Sequence, residues 1–339
     1  MKKLLLLLLF PLFTFAQYIT STSFCPKIKD PNKKTRSLTV LDQRKVFNLG
    51  TLSNGEEEYK VEFKNGLPTD IENWFKKYNN KPTGTDDIIL VVDVLEHSID
   101  SLNKKPNMLH FKGAAFYKKD DKYYFISRAD EKMHTRDGKP KNTSEYAAYC
   151  YEFMLSNFLL KIYGAPSFST PLTLDQIKNN EYENLINSTF IIYKKDTMKE
   201  GAYKSFRTLM NQIPAPVQLE KDDQGNLKKI TFEDSKVKVV DYYAVVVNNK
   251  IYRVTYGGLR EILEDERGKY IHAQDHEIFA NGKEGASFGA KTGGLMGLAV
   301  GGLLDEISNA SVSSSTNPKR RLPEEKVYID FLTGDYIID

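Results

Sequence analysis

The chain has 339 residues, with 48 Lys and Arg against 45 Asp and Glu and a formal net charge of +3. So even a balance carries no electrostatic footprint of a nucleic-acid or other polyanion partner. Aromatic residues make up 12 % of the chain and mean hydropathy is negative, a composition that fits a soluble, tyrosine-rich and strand-rich protein.

The N-terminus reads as an export signal. Lys2 and Lys3 precede an apolar run from Leu4 to Phe15, and Thr14-Phe15-Ala16 puts small residues at both positions a signal peptidase reads. Residues 1–16 are expected to be a cleavable signal peptide, which places the mature protein in the periplasm or outer cell envelope. A spanning anchor would need ~20 apolar residues, and the run is shorter. Gln17 follows the cleavage site where N-terminal lipid anchoring would need Cys. Cleavage removes Lys2 and Lys3, leaving 46 basic against 45 acidic residues and a net charge of +1. The remaining 323 residues can build two modest domains. Only Cys25 and Cys150 are present. Export would expose both to an oxidising compartment, where a disulfide is one outcome and a small buried hydrophobe at Cys150 the other.

Residues 38–41 and 58–63 alternate as strands. Ile71, Trp74, Phe75 and Tyr78 then recur at helical spacing with Pro68 in the first turn, predicting a helix over 67–78. The β-branched run 88–95 and a hairpin of 108–117 with 122–126 about Asp120-Asp121 suggest a central sheet. The longest helix is predicted over 144–163, begun by Asn142-Thr143-Ser144 and ended by Gly164 and Pro166. Its second half is apolar nearly all round, so burial on most sides is expected. Two prolines and small residues over 164–171 mark a boundary between domains 17–165 and 172–339.

The second domain opens with a helix over 174–186 and a strand over 190–193. Strands at 217–219 and 227–232 flank the turn 221–226, and 237–247 pairs with 251–256 across Asn248-Asn249-Lys250. Residues 269–279, 327–331 and 336–338 are further strands. The fold class is α+β, two domains each with a mostly antiparallel sheet and helices on one side, plus a glycine-rich helix or hairpin over 282–307.

That last segment is the most informative. Gly285, Gly289, Gly293, Gly297 and Gly301 recur at every fourth residue. On a helix such a row lets another backbone come close, as in small-xxx-small contacts. The helix would cost ~1 kcal/mol per glycine relative to alanine, about 5 kcal/mol in total, near the lower end of a whole domain's net stability. Only tight packing can offset that. The uncharged stretch 292–304 covers only ~20 Å of a ~30 Å hydrocarbon core, too short for a span. Packing onto the protein's own sheet competes with contact to another copy, an envelope protein or a membrane surface. The tract 308–317 and Lys319-Arg320-Arg321 read as a return loop.

Catalytic signatures are missing. There is no Gly-rich phosphate loop ending in Lys-Ser or Lys-Thr, no Gly-x-Ser-x-Gly and no His-Glu-x-x-His, and no cofactor motif. His272 and His276 are the metal candidates. On a helix they would share a face and could bind zinc, but on the strand that the flanks suggest they stand ~13 Å apart, too far for one ion. His97, His110 and His134 are isolated, and solvated carboxylates explain Asp86, Asp87, Asp93, Asp120 and Asp121.

The mature chain resembles a broad group of uncharacterised exported bacterial envelope proteins. In the second half the resemblance lies in Gly201-Ala202-Tyr203 with Ser205-Phe206, residues 211–214, Ile251-Tyr252, Gly268-Lys269-Tyr270, the glycine segment, and Ile329-Asp330 with Thr333-Gly334. The first half is distantly similar to auxiliary lipoproteins of ABC-type transporters through residues 38–42, Arg44, Gly50 and the strand at 88–95. That similarity implies a small α/β fold and a role in envelope transport. A non-enzymatic binding or scaffolding component is the leading expectation. The competing ones are a periplasmic hydrolase, which needs a pocket of titratable groups, and a soluble carrier, which needs an apolar cavity.

Overall fold

The computed structural model of the chain describes residues 16–19, 28–47, 49–53, 58–80, 83–100, 105–134, 143–225, 227–232, 239–278 and 324–337. It is a mixed α+β protein of mostly antiparallel sheets. In the first half, β1 (Ala16–Ile19), β2 (Thr35–Asp42), β3 (Thr51–Ser53) and β4 (Glu58–Phe63) lead into α1 (Leu67–Tyr78). Then come β5 (Asp86–Asp100), β6 (Lys105–Lys119), β7 (Lys122–His134) and α2 (Thr143–Ile162). The central sheet has the order β2-β5-β6-β7. Its β2–β5 pair is parallel, an arrangement that requires a crossover, and α1 lies in the connection. Strands β1, β4 and β3 form a small separate sheet.

Helix α1 occupies the predicted residues. Pro68 sits in its first turn, and Asp70 accepts hydrogen bonds from Asn65 N (3.1 Å) and Nδ2 (2.7 Å). It buries Leu67, Ile71, Trp74 and Phe75 against the central sheet. Helix α2 covers the same face with Tyr151, Leu155, Phe158 and Ile162. It is less enclosed than its composition suggests, because Tyr149 and Leu160 are exposed. Among the described residues no helix is long and apolar enough to cross a membrane.

The second half packs on the opposite face. It contains α3 (Leu174–Lys178), α4 (Tyr182–Asn187), β8 (Gly201–Tyr203), α5 (Phe206–Met210), the hairpin β9 (Val217–Lys221) and β10 (Leu227–Phe232), β11 (Ala244–Val247) and β12 (Lys250–Thr255). These are followed by β13 (Gly258–Glu261), β14 (Leu263–Asp265), β15 (Gly268–Ala273), α6 (Asp275–Ile278), β16 (Glu325–Ile329) and β17 (Tyr336–Ile337). Two further sheets result, β13-β12-β11-β8 and β14-β15-β16-β17. Ile89, Val91, Phe116 and Phe125 of the central sheet join Leu172, Tyr182, Phe190, Phe206 and Val246 in one cluster. The stretch expected as a boundary runs along the edge of β7, with Phe168 N donating to Phe125 O (2.8 Å) and Leu172 N to Tyr123 O (2.9 Å).

Local expectations fail where one polar residue interrupts a periodic run. The helix expected over 174–186 is two short helices, because Asn180 takes a left-handed φ of 57° between them. Residues 191–193 form a 3₁₀ turn in place of a strand. The strand expected from residue 237 begins only at Ala244, after a 3₁₀ turn at Val239–Asp241.

Candidate functional site

The site is built by a change of pattern in the central sheet. Up to Val92 the strand β5 is apolar on both faces, with Ile88, Leu90 and Val92 toward the helices and Ile89 and Val91 toward the second half. A β-bulge at Asp93 then shifts the register between Val92 and Val94, and of the side chains described from Val94 to His97, Leu95 and His97 stay buried. Strands β6 and β7 change at the same level. Lys112 pairs with Asp130, and Gly113 with Ala129. Above that line the described residues of the second half leave Lys112 and Asp130 exposed, and a cavity of about 820 Å³ opens. Its floor holds Asp93, Lys112 and Arg128, one wall is Gln43 to Val46, and the other runs from Lys178 to Glu183.

Most charges here are held by neighbours. Arg128 donates from Nε and Nη2 to Asp330 (2.7 and 2.8 Å) and from Nη1 to Glu183 (2.6 Å). Burial works against its charge, but these two carboxylates outweigh it and raise the guanidinium pKa further. Lys112 Nζ lies 3.1 Å from Asp130, which also accepts from His110 Nε2 at 2.7 Å. Burial pushes the Asp130 carboxyl up, yet the bond from His110 and the charge of Lys112 hold it below its ordinary value. His110 Nδ1 is 3.9 Å from Glu96. Arg44 is clamped on Asp42 through Nε (2.7 Å) and Nη2 (2.8 Å). Asp93 differs from these residues. Among the described residues its carboxylate has no hydrogen bond or ion pair, and burial raises its pKa above the usual range, with the charge of Lys112 opposing and that of Asp130 adding to the shift. Tyr182 stacks on Phe125 with centroids 5.5 Å apart, which fixes the α4 wall.

The histidines go to separate places. His97 is in the core, with ring Nδ1 2.6 Å from the Tyr151 hydroxyl and its backbone N–H donating to Leu49 O (2.6 Å). Burial lowers its pKa to about 4, so it is neutral and structural. His97 and His110 lie on neighbouring strands but face opposite sides of the sheet, since Glu96 is the residue opposite His110. His272 is exposed on β15, its ring edge-on to Tyr270. His276 falls in α6, so a change from strand to helix separates the two metal candidates. The side chains of His134 and His276 lie outside the described residues, as do Cys25, residues 1–15 and the row Gly285, Gly289, Gly293, Gly297 and Gly301. Cys150 is 2 % exposed in the core. No group of three His, Cys, Asp or Glu able to hold a metal occurs among the described residues.

Asp93 was assigned to solvent by the sequence and is instead a half-buried bulge residue at a cavity floor. The signal that marks it is the switch, at that residue, from a continuous apolar run to alternation. His110 and Asp130 carry no such signal, because strand pairing alone brings them together.

A second feature lies at the far edge of the molecule. Ala273 of β15 and Glu325 of β16 are directly paired, although the described chain stops at Ile278 and resumes at Glu324. Arg260 joins the two ends, pairing through Nη2 with Glu277 and through Nη1 with Glu324 (3.2 Å). Gly257 is required beneath this clamp, since a Cβ there would lie 2.1 Å from Glu277 Oε1. Comparison with protein-family models, with curated proteins and with solved structures gives no match, so the chemistry of these residues is what speaks to function.

Proposed function

We propose that this protein is an exported, non-enzymatic component of the bacterial cell envelope that binds an envelope protein or its own copy through residues 282–307. Domains 17–165 and 172–339, and a closely approaching helix or hairpin carrying Gly285 to Gly301, belong to the same proposal. What supports it is the placing of the ends of residues 279–323. The residues that flank this segment, Glu277 and Glu324, both pair with Arg260 and follow or precede two strands already paired with each other. A costly glycine row in such a place is then explained by contact with something else, either a protein or a membrane surface.

The hydrolase reading loses support from the separation of His97, His110 and His272, and the carrier reading from the charged lining of the cavity. The test is to tag the protein, fractionate cells and identify what copurifies, with and without residues 282–307. The expected result is a folded deletion variant that has lost its partner or its membrane association. Retention of the same partner by the deletion variant overturns the proposal.

A further inference from the structure

The cavity above the Asp93 bulge is lined by described residues from both halves of the chain, and its unmet groups describe a ligand. The floor cations are taken, Arg128 by Asp330 and Glu183 and Lys112 by Asp130. Two floor acids are left over: Asp93 makes no side-chain hydrogen bond or ion pair among the described residues and feels only the charge of Lys112, which Asp130 already holds, and the solvated Glu96 has only His110 at 3.9 Å. At the mouth the reverse holds, for Lys45 and Lys178 are exposed and have no carboxylate within ion-pair distance among the described residues. The wall between them carries two further unmet atoms. Gln43 donates from Nε2 to Lys178 O (3.2 Å) but leaves Oε1 buried and unbonded. Arg44, with a side chain only 4 % exposed, leaves Nη1 buried and unbonded. Each such atom costs ~1–3 kcal/mol until something meets it.

These groups come in both signs, with the acids Asp93 and Glu96 at the floor, Lys45 and Lys178 at the rim, and one acceptor, Gln43 Oε1, beside one donor, Arg44 Nη1, in the wall between. A metal ion or a simple amine would satisfy only the floor, and a phosphate only the rim. At about 820 Å³ the space is within the ordinary range for small-molecule sites. We propose that this cavity binds a small zwitterion, a free amino acid or short peptide, with its ammonium on Asp93 and its carboxylate toward Lys45 and Lys178. An ammonium there also relieves the burial that raises the Asp93 carboxyl.

Calorimetric titration of the mature chain with trialanine, N-acetyl-trialanine and trialanine amide tests this. Trialanine is expected to bind, and each blocked form to bind about tenfold more weakly for the loss of one charged contact. Asp93→Asn should weaken trialanine about tenfold and leave the acetylated peptide unchanged, and Lys178→Met should do the same with respect to the amide. The comparison of peptides needs no variant to fold. No heat from trialanine, equal binding of all three peptides, or tight binding of a divalent metal or inorganic phosphate in its place would overturn the assignment. None of these outcomes touches the reading of residues 282–307.

Discussion

The two ends of the central sheet are made from the same three strands and differ in what covers them. Below the bulge, Ile89, Val91, Phe116 and Phe125 face the second half while Ile88, Leu90, Val92 and Tyr117 face α1 and α2, so both surfaces are apolar. Above it the helix side keeps Leu95, Leu109, Phe111 and Ala129 in the core, with His97 and Glu131 as its polar members, and the other side becomes Glu96, His110, Lys112 and Asp130, with Arg128 just below the bulge. Where cover stops, side chains alternate, and where cover continues they do not. A polar cavity at the transition therefore follows from one layer being shorter than the sheet beneath it.

The largest test of that contrast is Phe116→Ala, which removes a ring in contact with Phe125 and Tyr182 at centroid distances of 5.6 and 5.3 Å. It should cost about 3–5 kcal/mol in urea denaturation, while Val94→Ala on the open side should cost under ~1 kcal/mol. Equal losses would mean that the upper face is covered after all. Next comes the boundary itself. A Cβ on Gly113 would lie 2.5 Å from Val91 O and 3.1 Å from the Phe111 ring, so Gly113→Ala should destabilise by roughly 1–3 kcal/mol. An alanine variant as stable as the wild type would show that close approach there is not required.

The smallest effect is a pH dependence on the helix side of β7. Burial pushes the Glu131 carboxyl from 4.5 up to about 7, with Asp335 and Asp130 adding to the shift and Lys161 opposing it. The folded state thus holds this proton more tightly than the unfolded chain. Its contribution is present in full below pH 4.5 and is lost as pH rises through about 7. Glu131→Gln should leave stability unchanged at low pH and raise it by about 1–2 kcal/mol above neutrality. A denaturation profile in which the two proteins stay parallel from low to high pH would contradict this.

Much of the first half was legible in the sequence because its signals are local. Ile71, Trp74 and Phe75 mark one face of α1, and the run at 88–92 marks a strand buried on both sides. The second half was harder to read, since its helices are four to six residues long and Asn180 or a 3₁₀ turn interrupts the longer runs. The site was nearly illegible. Asp93 to Glu96 and Arg128 to Asp130 show a change of pattern, but nothing local says that Arg128 meets Asp330 or that Lys178 and Asp93 line one cavity.

By itself the sequence determined the mixed α+β class, the place of α1 and the central strands, and the absence of the familiar catalytic motifs, because each is a matter of composition or short-range period. Only the tertiary structure decided which face of the central sheet is covered and where cover ends, and that the ends of residues 279–323 meet at Arg260. Those outcomes depend on pairings between residues tens to hundreds of positions apart. Such pairings are set by burial and charge complementarity in three dimensions and leave no periodic trace along the chain.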